Sequence, residues 1–435
     1  MKVDNAANGI AANGIDDDGP GLRAALENLR AAGHDSAELG PGRYLLGRDG
    51  GQTHCLEIPI SLVGAGVERT TLAFTDQATN AKGVAIYVSG VQLAGMTLDG
   101  QWGGSCDGTP NRHNVFVGKN ARGTCLRDLE SVNADGDGLY IHDSAETMIE
   151  GLGARLVCRG NRRNSVTLGS RCDGLIMRHI ELDQCGTQHI DAEPQIDGRT
   201  CDHVQILDVR FGACGGDSIT TPGPSFREFN RDWRIERCYF ASNAGGVQVR
   251  WVDGIVLDRL HFDPPEVGGR VDVYVRRASD AVRVTGCTFK TKGTGVLIRG
   301  NTKTSHDVPR RVTLSGNSYH MLPGARRAVE CGDLDSLIMM GEQVYRDDQC
   351  GADAPPAVGL AIYPKSGIRE ILARANVIQA DTALQLGWPG FAGVVQHADI
   401  NGNVLRGAVN VRSANFGGGS VQQRTPEPFD EGVEA

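Results

Sequence analysis

The segment "HIDAEP", which begins at His189, places three ionisable side chains at every second position. Alternate side chains of an extended strand point to the same side, so His189, Asp191 and Glu193 are expected to share one face. Ile190 and Ala192 then point into a core. Two carboxylates on one face fit glycoside hydrolysis, in which one group acts as acid and the other as base or nucleophile. The alternative is the solvated face of a structural strand.

An arginine-rich segment, "RGNRRNS", leads into the neighbouring strand and contains Arg163. A lyase that acts on an acidic sugar needs a cation to stabilise the enolate-like intermediate and a base to remove the C5 proton. Arg163 and His189 would suit these two roles. For the paired carboxylates, we predict Glu193 as the acid and Asp191 as the base or nucleophile. His189 and Arg163 are predicted to position an acidic sugar. The alternative for the arginine is a local ion pair with one of the many acids.

The elements that must position these residues are short strands with alternating apolar residues, such as "GLYIHDS", "SVTLGS", "SITTPG" and "GVQVRWV". They recur at intervals of roughly 20 to 30 residues, the range typical of solenoids. Without helices between them, such strands bury their apolar faces only by stacking coil on coil, each in parallel with the next. The sequence therefore predicts an all-β chain folded as a parallel β-helix. The short period argues against a β-propeller, whose blades need about 40 residues.

In coils stacked about 4.8 Å apart, the outward residues of successive strands form one continuous face. This face carries polar side chains that can hydrogen-bond a sugar and aromatic rings that can stack on it. For a Trp at a coil corner, packing is the alternative. The predicted substrate-binding residues are Tyr140, His142, Thr167, Asp217, Arg250, Trp251 and Tyr274.

The beginning of the chain differs from the repeats. In "DDDGPGLRAALENLRAAG", Leu22, Ala25, Leu26 and Leu29 lie on one helical face, with acids before the start and Gly33 at the end. We expect this helix to cap the open end of the solenoid, because an uncovered coil exposes both core and strand edge. The expected organisation is an N-terminal segment with the capping helix, a parallel β-helix, and a flexible or partner-docked tail, over residues 1–35, 36–419 and 420–435.

The helix and the two stretches after it, "LGPGRYLL" and "LVGAGVERTTL", resemble the N-terminal signature of the pectate-lyase-like right-handed parallel β-helix superfamily. That superfamily includes bacteriophage tailspikes, polysaccharide lyases, glycoside hydrolases and uronan epimerases. The resemblance implies a single right-handed β-helix of about a dozen coils. Its tailspike branch implies a homotrimeric virion spike that contacts other virion proteins and binds a bacterial surface polysaccharide, with cleavage left open. The alternatives are a secreted polysaccharide lyase or glycoside hydrolase acting on a uronate-rich polymer, and an inert structural or decoration protein.

Two motifs bear on the reaction. "NADGDG" resembles the Asn-x-Asp motif of the polygalacturonase branch, but the accompanying Asp-Asp, Gly-His-Gly and Arg-x-Lys elements are absent, so Asp135 and Asp137 are expected to be turn residues. "HIDAEP" lacks the Asp-Pro-His-Glu arrangement of alginate epimerases. The resemblance thus implies the fold and leaves the reaction open.

Charge and composition exclude several classes of partner. A net charge of −9 and a pI near 5.7 argue against nucleic acid, because nucleic-acid binders present a basic face. No apolar run approaches the roughly 18 residues of a membrane span, so no membrane insertion is expected. The 12 cysteines include no C-x-x-C pair and no zinc-like Cys/His spacing, and neither a metal nor another cofactor is predicted.

The start, "MKVDNAANGI", lacks the basic and apolar regions of a signal peptide. This predicts assembly in a host cytoplasm, with a final place on the virion surface; the alternative is a secreted protein whose leader was removed. A cytoplasm keeps thiols reduced. Cys158, Cys185 and Cys214 stand at matching points of successive segments and are predicted to form a column of small buried thiols.

Overall fold

The computed structural model describes residues 1–48, 50–75, 81–101, 103, 112–151, 156–193, 200–221, 229–266, 269–300, 307–347, 356–365, 367–387, 393–411 and 419–424. The chain divides into two compact units, Met1–Val247 (unit 1) and Gln248–Ala435 (unit 2). Each unit is built from parallel strands stacked coil on coil, and the two units together contain about 13 coils, close to the predicted dozen.

Unit 1 contains one helix and a succession of short strands. In chain order they are β1 (Asn13–Asp17), α1 (Gly19–Ala31), β2 (Ser36–Glu38), β3 (Gly42–Leu46), β4 (His54–Glu57), β5 (Ser61–Val63), β6 (Thr70–Phe74), β7 (Lys82–Ile86), β8 (Gln92–Asp99), β9 (His113–Val117), β10 (Ala121–Arg122), β11 (Cys125–Val132), β12 (Leu139–Ile141), β13 (Ser144–Ala145), β14 (Met148–Glu150), β15 (Leu156–Arg159), β16 (Val166–Leu168), β17 (Cys172–Asp173), β18 (Ile176–Arg178), β19 (Ile180–Leu182), β20 (Ile190–Ala192), β21 (Cys201–Asp202), β22 (Gln205–Leu207), β23 (Arg210–Phe211), β24 (Ile219–Thr221), β25 (Asn230–Glu236) and β26 (Tyr239–Phe240).

One series of parallel strands in unit 1, which we call the site sheet, runs through β4, β7, β9, β12, β16, β20 and β24. Val166 of β16 pairs with Ile190 of β20 in parallel register, which confirms the predicted arrangement of these two segments. The inward row of this sheet is fully buried and consists of Val115, Leu139, Val166, Ile190 and Ile219. Because burial of each such side chain contributes about 1.5–3 kcal/mol, this row fixes which residues of the strands face outward.

The predicted helix is present as α1, and its buried residues include Leu22, Ala25 and Leu26 of the predicted apolar face. The helix contacts β2, β3 and β4, the first strands of the solenoid. Gly33, just past the end of the helix, has a φ of +84°, a conformation that favours glycine at helix C-termini. That α1 caps an open end of the solenoid stays a prediction.

The strands of unit 2 are longer than those of the middle of unit 1. They are β27 (Val247–Arg250, which begins at the last residue of unit 1), β28 (Val252–Asp258), β29 (His261–Phe262), β30 (Val271–Arg276), β31 (Asp280–Thr285), β32 (Thr288–Thr291), β33 (Thr294–Arg299), β34 (Val312–Ser315), β35 (Ser318–Met321), β36 (Arg327–Cys331), β37 (Leu334–Met340), β38 (Gln343–Arg346), β39 (Val358–Ile362), β40 (Gly367–Arg374), β41 (Val377–Leu386), β42 (Val394–Val411) and β43 (Gly419–Arg424). β43 pairs with β42, whereas residues 425–435 of the predicted tail lie outside the described residues.

Aromatic rings stack inside unit 2, one from each of three successive coils. The ring centroids of Phe262 and Phe289 are 5.2 Å apart, and those of Phe289 and Tyr319 are 4.8 Å apart, with interplanar angles of 12°. All three side chains are fully buried. Stacked rings in a dry core combine a large buried area with a favourable ring geometry, so this stack is a main source of stability for unit 2.

A buried ladder of polar side chains also runs through unit 2 and contains Asn317, Glu342, Asn376 and Asn403. The backbone N–H of Asn317 donates to Oε1 of Glu342 at 3.1 Å, and that of Glu342 donates to Oδ1 of Asn376 at 2.8 Å. The N–H of Asn376 donates in turn to Oδ1 of Asn403 at 3.0 Å. Each side chain thereby satisfies a buried backbone group of the coil before it, and Glu342 is the one ionisable member.

Stability should depend on pH through Glu342. Burial raises the pKa of this carboxyl from 4.5 to about 7, although hydrogen bonds from Asn317 and Tyr319 oppose the shift. The folded protein therefore keeps a proton that the unfolded chain releases between pH of about 4.5 and about 7, and stability falls as pH rises through this window. Relative to Glu342→Gln, which stays neutral, we expect the wild type to lose up to about 3 kcal/mol of unfolding free energy across the window.

Urea unfolding of the two proteins at both ends of this pH window measures the difference. Glu370→Gln, at an exposed position of β40, is the matched control and should leave the pH dependence unchanged. Equal pH dependence of the wild type and Glu342→Gln would contradict the prediction.

Candidate functional site

The outward positions of the site sheet form one row, which we call the central row. Parallel register places Phe116, Tyr140, Thr167, Asp191 and Thr220 side by side in it. Alternation predicts this arrangement for Tyr140, Thr167 and Asp191. Thr167 and Asp191 are covered, at 0% and 6% exposed, whereas Tyr140 and Phe116 are half-buried. The Tyr140 end of the row is therefore the part that a large ligand can reach.

His189 does not lie on this face, and the predicted orientation of its side chain is wrong. The side chain is fully buried, its ring lies 5.6 Å from the ring of the interior Phe211, and its Nδ1 is 3.3 Å from Oγ of Ser218. Strand β20 begins only at Ile190, so His189 belongs to the bend before the strand, where the alternation of strand side chains does not apply. The residue at the same position one coil earlier, Ser165, is equally buried.

Aromatic rings surround Tyr140. Its ring stacks on that of Phe116 at 5.7 Å with an interplanar angle of 8°, and the rings of His113 and His142 lie at 4.6 and 6.0 Å. Gly169 accommodates this group, because a Cβ at that position would lie 2.5 Å from Nδ1 of His142 and 3.2 Å from Cε1 of Tyr140. The result is an aromatic surface next to polar groups, which is the usual composition of a sugar-binding site.

The hydrogen bond to His142 sets the role of its imidazole. The backbone N–H of Ser170 donates to Nδ1 of His142 at 3.3 Å. In the neutral imidazole the proton is therefore assigned to Nε2, which makes that nitrogen a hydrogen-bond donor. The side chain is half-buried, so the donor can serve a ligand at the edge of the Tyr140 ring.

Arg163 lies between two carboxylates. Its Nη2 is 3.4 Å from Oε1 of Glu193, and its Nε is 3.7 Å from Oδ1 of Asp137. The side chains of Arg163 and Glu193 are 26% and 31% exposed, so this contact is long and open to solvent. An incoming carboxylate can therefore compete for the guanidinium. The structure thus brings Arg163 and Glu193 together, and the local ion pair considered for this arginine also forms.

The charges around Tyr140 keep its phenol protonated. Burial raises the pKa of Tyr140 well above its ordinary value, and the carboxylates of Glu193 and Asp137 raise it further, while Arg163 opposes them. At neutral pH the phenol is therefore a hydrogen-bond donor beside a cation and a carboxylate. This combination can act as a general acid.

Asp137 lies in the connection before β12, as expected for a turn residue, but its side chain is fully buried and lies next to basic side chains. Its Oδ1 accepts the backbone N–H of Asn164 at 3.0 Å, and its Oδ2 lies 3.3 Å from Nδ1 of His113. Burial alone would raise the pKa of Asp137, but His113, Arg163 and the N–H of Asn164 together lower it. This carboxylate therefore holds both His113 and Arg163 in place beneath Tyr140.

Asp135 is buried in the same connection and forms ion pairs with Arg112 and with Arg162, the latter with 3.0 Å between Oδ1 and Nε. These buried pairs were not expected from the sequence. A usable signal was present: "NADGDG" precedes one strand and "RGNRR" precedes the next, so the acids and the arginines stack one coil apart.

Two lysines extend the site toward the earlier coils. The Nζ of Lys82 lies 4.1 Å from the ring centroid of Phe116, and the Nζ of Lys119 lies 3.7 Å from that of Tyr87. Burial lowers the pKa of Lys82, and the charge of Lys119 lowers it further. Within the part of the chain that the structure describes, neither ammonium forms an ion pair with a carboxylate. Two cations that repel each other in this way favour a bound anion.

The other predicted substrate-binding residues lie elsewhere. Asp217 is half-buried in the bend before β24 of unit 1. Arg250, Trp251 and Tyr274 belong to unit 2, where an arginine guanidinium lies over the ring of Trp251 at 5.0 Å and another over that of Tyr274 at 5.1 Å. Their roles stay predictions.

Among the described residues, no three His, Cys, Asp or Glu side chains come together in a way that could hold a metal ion. No helix in the described ranges has both the length and the apolar character needed to cross a membrane.

These observations define the class of the fold as a parallel β-helix of the kind seen in right-handed β-helix proteins, which confirms the fold that the resemblance implied. Neither a protein-family model nor a curated protein sequence matches the chain.

Among solved structures, the A-module of the mannuronan C-5 epimerase AlgE6 of Azotobacter vinelandii matches 79% of this chain over 99% of its own, with 16% identity and a TM-score of 0.59. The catalytic unit of the GH87 α-1,3-glucanase of Streptomyces thermodiastaticus matches 86% of this chain over 68% of its own, with 13% identity and a TM-score of 0.58. PfbA, a surface adhesin of Streptococcus pneumoniae, matches 86% over 92%, with 10% identity and a TM-score of 0.51. At identities this low the likeness is one of fold.

Proposed function

We propose that unit 1 binds an acidic polysaccharide at the Tyr140 end of the central row and removes the C5 proton of a uronate there. One observation carries the proposal: the protonated phenol of Tyr140 lies beside Arg163, whose guanidinium is 3.4 Å from the carboxylate of Glu193. Acid, cation and carboxylate are the three groups that this reaction needs. The polysaccharides named for two proteins of the same fold, mannuronan and α-1,3-glucan, support a polysaccharide substrate.

Binding begins with charge and stacking. Lys82 and Lys119 offer two cations without a carboxylate partner among the described residues, next to the rings of Phe116 and Tyr87. An acidic sugar chain supplies carboxylates at regular intervals and apolar ring faces between them, so it matches both features. A neutral glucan would leave the two ammonium groups unpaired.

The chemistry follows from the loose ion pair. The substrate carboxylate competes with Glu193 for Arg163, and the freed Glu193 carboxylate takes the proton from C5. The guanidinium stabilises the negative charge that then develops on the sugar carboxylate. Tyr140 gives its proton either to the glycosidic oxygen as the C4–O bond breaks, which is a lyase reaction, or to the opposite face of C5, which is an epimerisation. Nε2–H of His142 donates to a sugar hydroxyl.

These roles differ from those predicted for the two acids. Glu193 is the base here because it is partly exposed, at 31%, and lies next to Arg163, and Tyr140 is the acid. Asp191 is only 6% exposed, which assigns it to positioning the strand. The paired-carboxylate hydrolysis considered for Asp191 and Glu193 becomes the alternative reaction.

The proposal is tested by incubating the full chain in heavy water with uronate-rich polymers and, separately, with a neutral glucan. We expect deuterium at C5 or unsaturated ends, both seen by NMR, with the uronate-rich polymers alone. Glu193→Gln should lose at least about a hundredfold in rate, as expected for loss of a general base, whereas Asp191→Asn should keep most of its activity.

Glu130→Gln is the matched control, because Glu130 is also paired with an arginine, Arg159 at 2.7 Å, but lies on another sheet of unit 1. New reducing ends without unsaturated ends and without deuterium at C5 would favour the glycoside hydrolase. If binding occurs without turnover and is unaffected by Glu193→Gln, the row is only the polar face of a coil.

We also propose, from the resemblance of the N-terminal sequence, that the protein serves on a virion surface as a homotrimeric spike that contacts other virion proteins. The host ligand would be a bacterial surface polysaccharide. The surface adhesin of the same fold supports a binding role at a surface. A free secreted enzyme is the alternative, and capsid and tail genes beside this one would favour the spike.

A further inference from the structure

Two cysteines of unit 1 occupy equivalent positions in successive coils. Cys185 and Cys214 form an isolated parallel bridge, with the N–H of Cys185 donating to the carbonyl of Ala213 at 3.3 Å and that of Gly215 donating to the carbonyl of Cys185 at 3.1 Å. Neighbouring parallel strands are about 4.8 Å apart, and a disulfide requires a Cα separation of about 4.4–6.8 Å. The backbone therefore already has the spacing of a disulfide. Cys158, predicted in the same column, pairs with Leu182 instead.

The sulfur of Cys214 is surrounded by polar groups. It accepts the backbone N–H of Gly245 at 3.3 Å, the thiol donates to the carbonyl of Gly216 at 3.0 Å, and Oγ of Ser218 lies 3.8 Å away. The neighbouring Cys185 thiol and the His189 ring lower the pKa of Cys214, against the effect of burial. The same contact with Cys214, together with burial, raises the pKa of Cys185. Of the two thiols, Cys214 is therefore the one that gives up its proton more readily.

Cys214 is also more accessible than the predicted column of buried thiols implies. It is partly exposed, and the two residues after it, Gly215 and Gly216, are exposed. Gly215 cannot be replaced by a larger residue, because a Cβ there would lie 2.0 Å from the carbonyl oxygen of Gly186. No side chain at that position can cover the sulfur. A partly exposed thiol whose pKa is lowered and whose sulfur accepts a hydrogen bond is typical of a reactive cysteine.

A second pair in the same unit provides an internal comparison. Cys172 and Cys201 are also in parallel register one coil apart, but both are buried. The thiol of Cys172 donates to the carbonyl of Ile141 at 3.1 Å, and that of Cys201 donates to the carbonyl of Gly169 at 2.9 Å. Because both of these sulfurs are enclosed, at 1% and 0% exposed, peroxide cannot reach them, and this pair has the spacing of a disulfide without the access that Cys214 has.

We propose that Cys214 and Cys185 are a peroxide-sensitive dithiol that closes reversibly to a disulfide across adjacent coils. The Cys214 thiolate attacks one oxygen of hydrogen peroxide, the O–O bond breaks, the departing hydroxide takes up a proton to become water, and Cys214 becomes a sulfenic acid. The Cys185 sulfur then attacks the Cys214 sulfur, the S–O bond breaks, and a second water leaves with the thiol proton. Two thiols lose two electrons in total, and one peroxide is reduced to two waters.

His189 takes part through Ser218, whose Oγ lies 3.3 Å from Nδ1 of His189 and 3.8 Å from the Cys214 sulfur, so it can stabilise the thiolate that forms before oxidation. The histidine of "HIDAEP" therefore serves the thiol site inside the bend rather than the sugar site on the outer face. The redox proposal stands independently of the proposed polysaccharide chemistry.

Alkylation of the native full chain at neutral pH tests the first step without any substitution. With limiting iodoacetamide and peptide mass spectrometry, we expect Cys214 to react at least about tenfold faster than the partly exposed Cys125, whose pKa is raised by burial. Equal rates for the two cysteines would overturn the proposal.

Oxidation with hydrogen peroxide tests the second step. We expect a peptide linking Cys185 to Cys214, reversible by dithiothreitol, and no link between Cys172 and Cys201. Cys185→Ser should leave a sulfenic acid on Cys214 that dimedone traps, and His189→Gln should slow formation of the disulfide. Linkage of the two control cysteines at the same rate, or no Cys185–Cys214 link in the wild type, would overturn the proposal.

Discussion

Replacing Tyr140 by phenylalanine is expected to lower turnover of a uronate-rich polymer by a factor of about 10²–10⁴, the usual contribution of a general acid. The phenol is the proton donor of the proposed site, and its proton is retained because burial, Glu193 and Asp137 raise the pKa of Tyr140. The ring itself stays, so its stacking on Phe116 should persist and binding should change little. The expected pattern is a large fall in kcat with KM nearly unchanged.

Tyr239→Phe is the matched control for this substitution. Tyr239 is a half-buried tyrosine of β26, in the same unit but on a different sheet, with the guanidinium of Arg210 4.6 Å from its ring. Removal of its hydroxyl should leave turnover unchanged. If the two variants lose the same activity, or if Tyr140→Phe remains fully active on a polymer that the wild type processes, Tyr140 is not the acid.

Replacing Phe289 by alanine is expected to destabilise unit 2 by about 3–5 kcal/mol. Phe289 is the middle ring of the buried stack and contacts Phe262 on one side and Tyr319 on the other, at 5.2 and 4.8 Å. Its removal takes away the transfer free energy of one ring and leaves a cavity between two others that the neighbouring coils cannot close without losing register. Urea unfolding followed by circular dichroism measures the loss.

Tyr345→Ala serves as the control, because Tyr345 is also an aromatic residue of unit 2 but is 39% exposed. Substitutions at such surface positions usually change stability by no more than about 0.5 kcal/mol. A cost for Phe289→Ala no larger than that of Tyr345→Ala would show that the stack contributes little.

The sequence predicts the fold because each coil is specified by a short alternating pattern of apolar and polar residues, and the same pattern recurs from coil to coil. Strands β12, β16 and β20 of the site sheet alternate apolar and polar residues, and that pattern alone places Ile190 inward and Thr167 and Asp191 in one outward row. Parallel stacking then follows, since strands without crossover helices have no other way to bury their apolar side. The same reasoning gives the face of α1 that Leu22, Ala25 and Leu26 bury.

The sequence does not predict what happens in the bends. His189 is one residue outside a strand, where the period of two no longer applies, and its side chain turns inward beside Phe211. Asp137 looks like a turn residue in isolation, and its burial depends on Arg163 from the next coil. Such contacts join residues from different coils, and the coils differ in length. A short sequence motif therefore does not predict them. The most informative groups of the site therefore lie at the positions where strand patterns end.

The central row has a consequence for how such a protein can diversify. Each coil contributes one residue to the central row and packs only against the coil on either side of it. Duplication or deletion of one coil therefore shifts all the coils beyond it by a single strand spacing, about 4.8 Å. A duplication before β7 would lengthen the binding face and leave Tyr140, Arg163 and Glu193 together. A duplication between β12 and β20 would separate Tyr140 from Glu193 and so abolish the proposed reaction while preserving the fold. Duplication or deletion of coils can thus turn a catalytic β-helix into one that only binds sugar, or lengthen the surface that contacts a longer sugar chain. In both cases the hydrophobic core keeps the same design.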